Sequence, residues 1–532
     1  MSASQTLLSA RTHRTLVLLC VSVPSFMINL DANIVAVSLP AIARSMRADF
    51  AAIEWVVSAY TLTFACLVMP AGALADRYGR KLILLAGLVL FSVASFLCGA
   101  APSVAVLNTA RAFQGVGAAL QLSAALAILS HAFGGAERAR AFAFWGTVVG
   151  IAITLGPVAG GIITQTFGWQ WAFYINIPVG AGLILLVFTC VQESSDPHAE
   201  HVDFIGFLLF CGGVFALTLA LISGNARGWA SAFVVSALGG AALLLAGFLA
   251  AEARQRRPMV DLHLFRRPTF LGANVAALSF AVTLLTMLTY LPMYFQNALG
   301  FRPQQAGLLM LPLVVPLFVV PRLVAVHLAH RLSGRTLLTA GLLLVSAGLI
   351  ALAIAAPFLS YVALIAGLVV AGTGAGVLNG EVVKVGMTVI PPERAGMASG
   401  VSGTVRFTGI VIGFAALGAV LTARIKAVMN AGLNCLSHSA GAGRIDHLAL
   451  VRNVVAGNVP GAVSSVPAVS RNALHSLALA SLGTGFQAIL FTAAAFAAVS
   501  ALLTWALVRR EETAAVERKS RTLQSGTFIP ME

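Results

Sequence analysis

Long runs of apolar residues alternate with short polar or basic stretches along nearly the whole chain. A helix needs about 20 apolar residues to cross the hydrocarbon core of a membrane. The pattern predicts fourteen such helices, called spans 1 to 14 in chain order, and an even number places both chain ends on one side. The segments lie at about 16–38, 53–73, 82–101, 104–129, 141–163, 173–192, 204–223, 231–251, 270–292, 306–328, 336–356, 360–385, 398–422 and 486–508.

The composition agrees with this pattern and excludes several classes of protein. Of the 532 residues, 59% are apolar and 10% are charged, whereas soluble domains are near half apolar and about a quarter charged. A soluble enzyme, a disordered protein and a disulfide-stabilised scaffold are therefore excluded. Fourteen helices use roughly 280–300 residues, which leaves chain for loops but not for a separate soluble domain. We expect an all-α polytopic membrane protein.

Basic residues outnumber acidic ones, and their distribution predicts the orientation of the chain. There are 33 Lys and Arg residues against 18 Asp and Glu, a net charge of +15. Basic residues of membrane proteins collect in cytoplasmic loops, and with the N-terminus inside, 21 fall in inner segments and nine in outer ones. We therefore expect a multi-pass protein of the inner cell membrane with both termini cytoplasmic and no nucleic-acid partner. The inner loop 193–203 is acidic and is the exception.

An internal repeat divides the chain into two halves. Glu137-Arg138-Ala139, before span 5, recurs 256 residues later as Glu393-Arg394-Ala395, before span 13. Duplicated halves around a central site are typical of secondary transporters, and spans 7 and 8 lie outside the repeat. The predicted segments are a cytoplasmic tail at 1–15, a six-helix half at 16–192, two inserted helices with a flanking loop at 193–256, a second six-helix half at 257–508 that includes an extracytoplasmic loop with one amphipathic helix at 424–485, and a cytoplasmic tail at 509–532.

The segment between spans 2 and 3 carries the most specific motif. It reads Gly72-Ala73-Leu74-Ala75-Asp76-Arg77-Tyr78-Gly79-Arg80-Lys81. Its glycines permit a tight turn, and Asp76 can accept hydrogen bonds from the arginines or from a neighbouring helix end. An ordinary basic turn is the alternative, but the order of the residues resembles the signature loop of the major facilitator superfamily. The resemblance implies a gating loop formed by Gly72, Asp76, Arg77, Gly79 and Arg80.

Two opposite charges are predicted to meet inside the membrane. An ionised arginine in hydrocarbon is costly, so Arg111 in span 4 should face an acid or a polar cavity. At a rise of about 1.5 Å per residue, Arg111 and Asp31 of span 1 both lie roughly 10 Å below the outer surface and can pair. A capping or packing role for Asp31 is the alternative. The segments Asp31-Ala32-Asn33 and Arg111 to Ala118 resemble motifs of fourteen-helix drug:proton antiporters, which implies that Asp31 and Arg111 couple transport to protons.

Span 5 contains a third motif, from Gly150 to Gly161. Small residues allow helices to approach closely and a proline interrupts the helical hydrogen bonds, so a packing face is one interpretation. The spacing G-x(5)-G-P-x-x-G-G is more specific than a general packing face requires. It resembles the antiporter signature of the same superfamily. It implies a hinge or a seal formed by Gly150, Gly156, Pro157, Gly160 and Gly161.

Four further polar residues are weaker candidates. Glu381 in span 12 could bind a proton or a cation, or it could simply pair with Lys384 one turn further along. Gln114 in span 4, Gln296 in span 9 and Arg406 in span 13 match the family's pattern and are candidates for lining a cavity.

Several motifs of enzymes are absent from the sequence. No lysine follows a glycine, so a phosphate-binding G-K-[ST] loop is impossible, and no histidine precedes a glutamate, which excludes the H-E-x-x-H zinc motif. We therefore expect neither ATP hydrolysis by that route nor a metal site nor a cofactor. These absences favour a transporter over an enzyme.

Together, these motifs resemble the fourteen-helix major facilitators of the EmrB/QacA type. The resemblance implies a major facilitator fold with two six-helix halves plus two inserted helices. It also implies a proton-coupled exporter of hydrophobic or cationic drugs, driven by the proton gradient without a cofactor. The implied partners are a small-molecule substrate, protons and membrane lipid, with a periplasmic adaptor and an outer-membrane channel where the host has two membranes. An exporter or symporter of one metabolite or siderophore shares the fold, and a non-transporting receptor is the more distant alternative.

The orientation can be tested by labelling single cysteines in a variant that lacks its six native cysteines. Because basic residues favour the cytoplasmic side, we expect a membrane-impermeant thiol reagent to label a cysteine at position 440 in intact cells. Cysteines at positions 135 and 515 should react only after the cells are permeabilised. Labelling of position 135 in intact cells would contradict the orientation.

Overall fold

The protein is described here by a computed structural model. The described residues are 3–133, 135–195, 204–255, 262–328, 331–390, 395–439, 447–455, 457–464, 466 and 471–513. Within these residues the regular structure is helical, and no strand is found. The predicted all-α fold class is therefore confirmed.

Fourteen helices in the described residues are long and apolar enough to cross a membrane, as the sequence predicts. Some of them contain a short break or a π-helical turn and consist of consecutive segments. In order of span, the helices are Ala3–Met46, Phe50–Tyr78, Arg80–Gly99, Val104–Ala132, Gly135–Thr166, Trp171–Tyr174 with Asn176–Cys190, Phe204–Arg227, Ala232–Arg254, Pro268–Phe280 with Ala281–Leu285 and Thr286–Asn297, Pro303–Leu308 with Leu311–Leu323 and Val324–Leu328, Gly334–Ala355 with Ala356–Phe358, Tyr361–Met387, Ala395–Ser439, and Arg471–Leu507.

The spans pack into two groups of six with an added pair. In the first group, span 4 packs against spans 2 and 3, and span 5 packs against span 1. In the second group, span 11 packs against spans 12 and 14, and span 10 packs against span 12. Spans 7 and 8 pack on each other, and span 7 also contacts spans 2 and 13. The two groups meet where span 2 packs on span 13, span 5 on span 10 and span 1 on span 9. We call the end of the bundle at which the helix of span 1 begins and the helix of span 14 ends the near end, and the opposite end the far end.

Span 1 differs from its predicted bounds. Its helix runs from Ala3 to Met46 and includes Pro24 and Pro40, so residues expected as a tail or a loop are helical. A proline removes one helical hydrogen bond but is tolerated where neighbouring helices pack around it. Most side chains from Ile34 to Ala43 are buried, and this packing carries the helix past Pro40. The predicted boundary at residue 38 was therefore wrong.

The helices of spans 13 and 14 extend from both ends into the segment 424–485, which was predicted as an extracytoplasmic loop. The helix of span 13 continues to Ser439 and the helix of span 14 begins at Arg471. Between them, His447–Val455 and Val459–Ser464 form two short helices whose apolar side chains join the core of the second half. Small and polar residues lower the hydropathy of this segment, so hydropathy predicts no spanning helix in it. The helices of spans 13 and 14 nevertheless continue beyond their predicted apolar segments, 398–422 and 486–508. Residues 440–446, 456, 465 and 467–470, and the predicted tail from 514 onward, lie outside the described residues.

Candidate functional site

The first half is organised around a buried ion pair. Nη1 of Arg111 in span 4 lies 2.7 Å from Oδ2 of Asp31 in span 1. The side chain of Asp31 is 0% exposed and that of Arg111 is 1% exposed. The contact predicted from their depths is therefore present, although span 1 extends eight residues beyond the end assumed for that prediction.

The Asp31 carboxylate is fully supplied with hydrogen-bond donors. Besides Arg111, it accepts hydrogen bonds at Oδ1 from Nε2 of Gln114 at 3.0 Å and from Nδ2 of Asn176 at 2.7 Å. Gln114 also donates to the hydroxyl of Ser95 at 2.8 Å. Charge-assisted hydrogen bonds are stronger than those between neutral groups, and three of them hold this carboxylate. The cluster joins spans 1, 3, 4 and 6.

The Arg111 guanidinium has further contacts, all within the first half. Its Nε donates to the carbonyl of Val56 at 3.0 Å, and its Nη1 donates to Oε1 of Gln114 at 2.6 Å. Its Cζ atom lies 4.1 Å from the centre of the Tyr60 ring, within the range of a cation–π interaction. Span 2 is thereby added to the cluster, so this single side chain touches or links most of the helices of its half.

Sequence reasoning found some members of this cluster and missed others. Gln114 was expected to line a cavity, but it is fully buried in the cluster because it lies one turn from Arg111 on the same helical face. Asn176, at the start of span 6, was not among the candidates from the sequence. Ser95 and Tyr60 carry no specific signal in the sequence either, since a serine or tyrosine in an apolar span has many roles.

The signature loop at the near end is a tight turn stabilised by charges. Arg80 donates to Oδ1 of Asp76 through Nε at 3.0 Å and through Nη2 at 2.8 Å. Gly79, between the two helices, has a φ of 114°, which strongly favours glycine. Arg77 is exposed and its guanidinium lies over the ring of Tyr78. No heavy atom outside its own helix lies within 4 Å of a Cβ placed on Gly72, so the described structure gives that glycine no close partner.

Glu193 completes the loop, and the sequence motif did not include it. Its carboxylate accepts hydrogen bonds from the backbone N–H of Lys81 and of Leu82, both at 3.0 Å. These N–H groups begin span 3, where a helix attracts negative charge. A Cβ on Gly79 would lie 2.6 Å from Cδ of Glu193, so glycine also leaves room for the acid. This contact gives Glu193, at the start of the acidic loop after span 6, a structural role.

The glycines of span 5 are points of close contact at the far end. A Cβ on Gly160 would lie 2.8 Å from Cα of Ile34 in span 1, and one on Gly161 would lie 2.9 Å from Cα of Gln304 in span 10. From the other side, a Cβ on Gly307 would lie 2.9 Å from the carbonyl carbon of Pro157. Gly160 therefore packs within the first half, whereas Gly161 and Pro157 meet the second half. Gly156 packs on Asn33, and Gly150 makes only ordinary contact with Phe318.

Gln296 strengthens this contact between the halves. Its Nε2 donates to the carbonyl of Val37 at 2.8 Å, which joins span 9 to span 1. It was expected to line a cavity, but it is buried at 7% exposure in this contact. We call the set Val37, Pro157, Gly161, Gln296, Gln304 and Gly307 the far-end contact.

The two remaining candidates lie apart from these sites. Nζ of Lys384 lies 3.3 Å from Oε2 of Glu381, and the carboxyl of Glu381 is buried while the lysine is largely exposed. The pairing expected as one alternative is therefore present. Arg406 is partly buried, with its Cζ atom 5.7 Å from the centre of the Phe280 ring and no hydrogen-bond partner at Nε. No cluster of three or more potential metal ligands is found among the residues described.

Comparison with known families gives a match to most of the chain. The family model of the Major Facilitator Superfamily matches residues 21–414. The chain is 40% identical over 417 residues to the multidrug resistance protein Stp of Mycobacterium tuberculosis, which covers 78% of this chain and 77% of Stp. It is 34% identical over 396 residues to the methylenomycin A resistance protein of Streptomyces coelicolor, which covers 74% of this chain and 83% of that protein. A probable actinorhodin transporter of Streptomyces coelicolor is 33% identical over 401 residues, 73% of this chain and 69% of that protein.

Solved structures show the same fold at low sequence identity. A bacterial homologue of the human lysosomal transporter Spinster, in an inward-facing and unoccupied conformation, is similar with a TM-score of 0.64 and 16% identity. The similarity covers 98% of this chain and 99% of that chain. A bacterial homologue of the human drug peptide transporters PepT1 and PepT2 has a TM-score of 0.57 at 16% identity over 93% of this chain and 98% of its own.

The far-end contact can be tested by adding a methyl group to it. Overpacking a close contact costs about 1–3 kcal/mol, and in Gly161→Ala this cost arises only while the halves touch. We expect labelling of a single cysteine placed at Val37 to become about fivefold faster or more, because the contact opens more often. Gly146→Ala, in the same helix, is the matched control because a Cβ there meets nothing within 4 Å. Equal labelling rates in the two variants would show that Gly161 does not set the contact.

Proposed function

The chain belongs to the major facilitator superfamily, and from this premise we propose that it is a multidrug efflux transporter driven by protons. Its membrane helices, its two-half packing and its relatives named as multidrug resistance proteins support export of small molecules. The single observation that supports proton coupling is the buried pair of Asp31 and Arg111. Intramembrane acids and bases usually mark ion or substrate pathways.

The proposed coupling begins with the proton that competes with Arg111 for Asp31. When Asp31 is ionised, its carboxylate is held by three donors from spans 4 and 6. When Asp31 is protonated, the charge of Arg111 loses its counter-ion in a buried site. Breaking a buried pair by removing one partner costs about 3–5 kcal/mol. Protonation therefore favours a rearrangement in which Arg111 finds another partner or water.

The energy available from the proton gradient is sufficient for such a cycle. A proton motive force of about 150 mV is worth about 3.5 kcal/mol per charge moved. This energy corresponds to roughly a 300-fold gradient of substrate. We propose that the far-end contact and the signature loop close the far and near ends of the bundle in alternation.

The proposed orientation follows the charge distribution. With both termini cytoplasmic, the near end faces the cytoplasm and the far-end contact faces the outside of the inner cell membrane. The far-end contact is then the closed outer gate in the structure described here. The periplasmic adaptor and outer-membrane channel implied for a host with two membranes stay predictions.

A narrower substrate range is the second candidate function. Two relatives carry the name of one antibiotic each, methylenomycin A and actinorhodin. A fold does not fix the substrate of a transporter. Competition among chemically unrelated drugs for export from proteoliposomes distinguishes the two candidates, because a single-substrate exporter shows no competition by unrelated compounds.

Asp31→Asn tests the proposed coupling. Asparagine mimics a permanently neutral acid, so it cannot alternate between the protonated state and the ion pair. We expect efflux driven by an imposed pH gradient in vesicles to be abolished, while equilibrium binding of substrate partly survives. Wild-type efflux from this variant would show that another acid carries the proton, with Glu381 the first to test.

The partner residue provides a second arm of this experiment. Arg111→Ala should also abolish driven efflux. If the two residues act as one unit, the double variant should be no worse than the worse single variant, because neighbouring effects are not additive. Additive losses would contradict a shared role.

Asp76→Asn tests the signature loop. The substitution weakens two charge-assisted hydrogen bonds from Arg80, each roughly twice as strong as a neutral one. We expect export to fall severalfold while the protein still inserts and folds, as measured by export rate per molecule in the membrane. Glu137→Gln, which removes an exposed ion pair with Arg14 at the same end, is the control because such pairs are worth little. Equal export by the two variants would mean that the loop is only a turn.

A further inference from the structure

A third buried acid lies between the two halves. Glu54 is in span 2, about 6 Å from the far-end start of that helix at 1.5 Å per residue, and it is 3% exposed. Its carboxyl contacts Gly418 of span 13, where an added Cβ would overlap Oε1 and lie 2.9 Å from Cδ. The hydroxyl of Tyr290 in span 9 would be 2.7 Å from the same Cβ. Glu54 belongs to the first half, and both neighbours belong to the second half.

This carboxyl differs from that of Asp31 because no counter-ion is found for it among the described residues. Oε1 of Glu54 has no hydrogen-bond partner, and no ion pair of Glu54 is found among the described residues. The Tyr290 hydroxyl, which could donate to it, instead donates to the carbonyl of Phe414 at 2.7 Å. Glycine at position 418 offers no side chain at all.

Among the described residues, no charged group of the neighbouring helices forms an ion pair with Glu54. On its own helix, Asp49 is an acid, and it caps the helix by accepting from the N–H of Ala52. Arg111 of span 4 reaches the carbonyl of Val56 but is already paired with Asp31. On span 13, Arg424 and Lys426 lie roughly 9 and 12 Å beyond Gly418 by the helical rise.

A charged carboxylate in such a site is unfavourable. Burying an unpaired ion costs several kcal/mol, whereas a neutral carboxylic acid costs far less. Part of the cover over the Glu54 carboxyl comes from the second half, at Gly418 and Tyr290. Separation of the halves at the far end removes that contact and admits water to the carboxyl, so the ionised form becomes acceptable only in the open state.

We propose that Glu54 is a proton-binding site that links protonation to closure of the far end. The carboxylate takes one proton from water at the far end before the second half packs on it, and returns it when the halves separate. No other bond is made or broken. This inference deepens the proposed function, and its assignment of the proton to the outer medium rests on the orientation proposed there.

The test measures far-end closure as a function of pH in purified protein, without substrate or gradient. Spin labels on cysteines at Ser45 and Arg302, in a cysteine-free background, report the distance between the two halves. If one proton is taken up on closure, raising the pH favours the open protein. The ratio of closed to open protein then falls by up to about tenfold for each unit of pH increase, over the range in which Glu54 titrates. Glu54→Gln, a neutral mimic, should stay closed across the pH range, with less than about a twofold change in that ratio.

Two further variants make the outcome decisive. Glu54→Ala also lacks the titrating group and should lose the pH response even if the glutamine variant does not fold. Glu252→Gln makes the same chemical change at a buried acid of span 8, in the inserted pair, and should keep the wild-type response. A wild-type pH response in either Glu54 variant overturns the proposal. The two proposals can fail separately. Efflux by Asp31→Asn tests only the proposed function, whereas the pH dependence of far-end closure tests only the role of Glu54.

Discussion

The structure depends most on the buried ion pair between Asp31 and Arg111. A guanidinium in a membrane-spanning helix is acceptable only where its charge and its donors are matched. Asp31 matches the charge, while the carbonyl of Val56 and the amide of Gln114 accept further hydrogen bonds. Because these partners come from different helices, satisfying one side chain fixes how spans 1, 2 and 4 of the first half lie together.

A second constraint acts between the halves, where backbone must approach backbone. Gly161 and Gly307 face each other's helices at the far end, and side chains at these positions would displace spans 5 and 10. Gln296 adds one hydrogen bond to a carbonyl across the same contact. The contact thus rests on small residues and few polar bonds, as is common where membrane helices approach closely. The signature loop at the near end lies within the first half, where Arg80 pairs with Asp76.

The two acids nearest these constraints have opposite environments. Asp31 lies inside one half and accepts three hydrogen bonds from side chains of spans 4 and 6. Glu54 lies between the halves and lacks a counter-ion among the described residues, so its neutral form is favoured while they touch. In the mechanism proposed here, the first acid responds to protons within a half-bundle and the second responds to the approach of the halves.

The sequence by itself determined the fourteen spans, the fold class and the Asp31–Arg111 pair, because hydropathy and intramembrane charge are properties of residue type that the membrane selects directly. It misplaced the ends of spans 1, 13 and 14, since packing continues a helix past Pro40 and past the apolar window that ends near residue 422. Only the tertiary structure decided that Gln114 and Gln296 are buried contacts, that Glu193 caps span 3, and that Glu54 lies between the halves. Each of these contacts depends on a partner that is distant in sequence, and a local sequence pattern does not identify that partner.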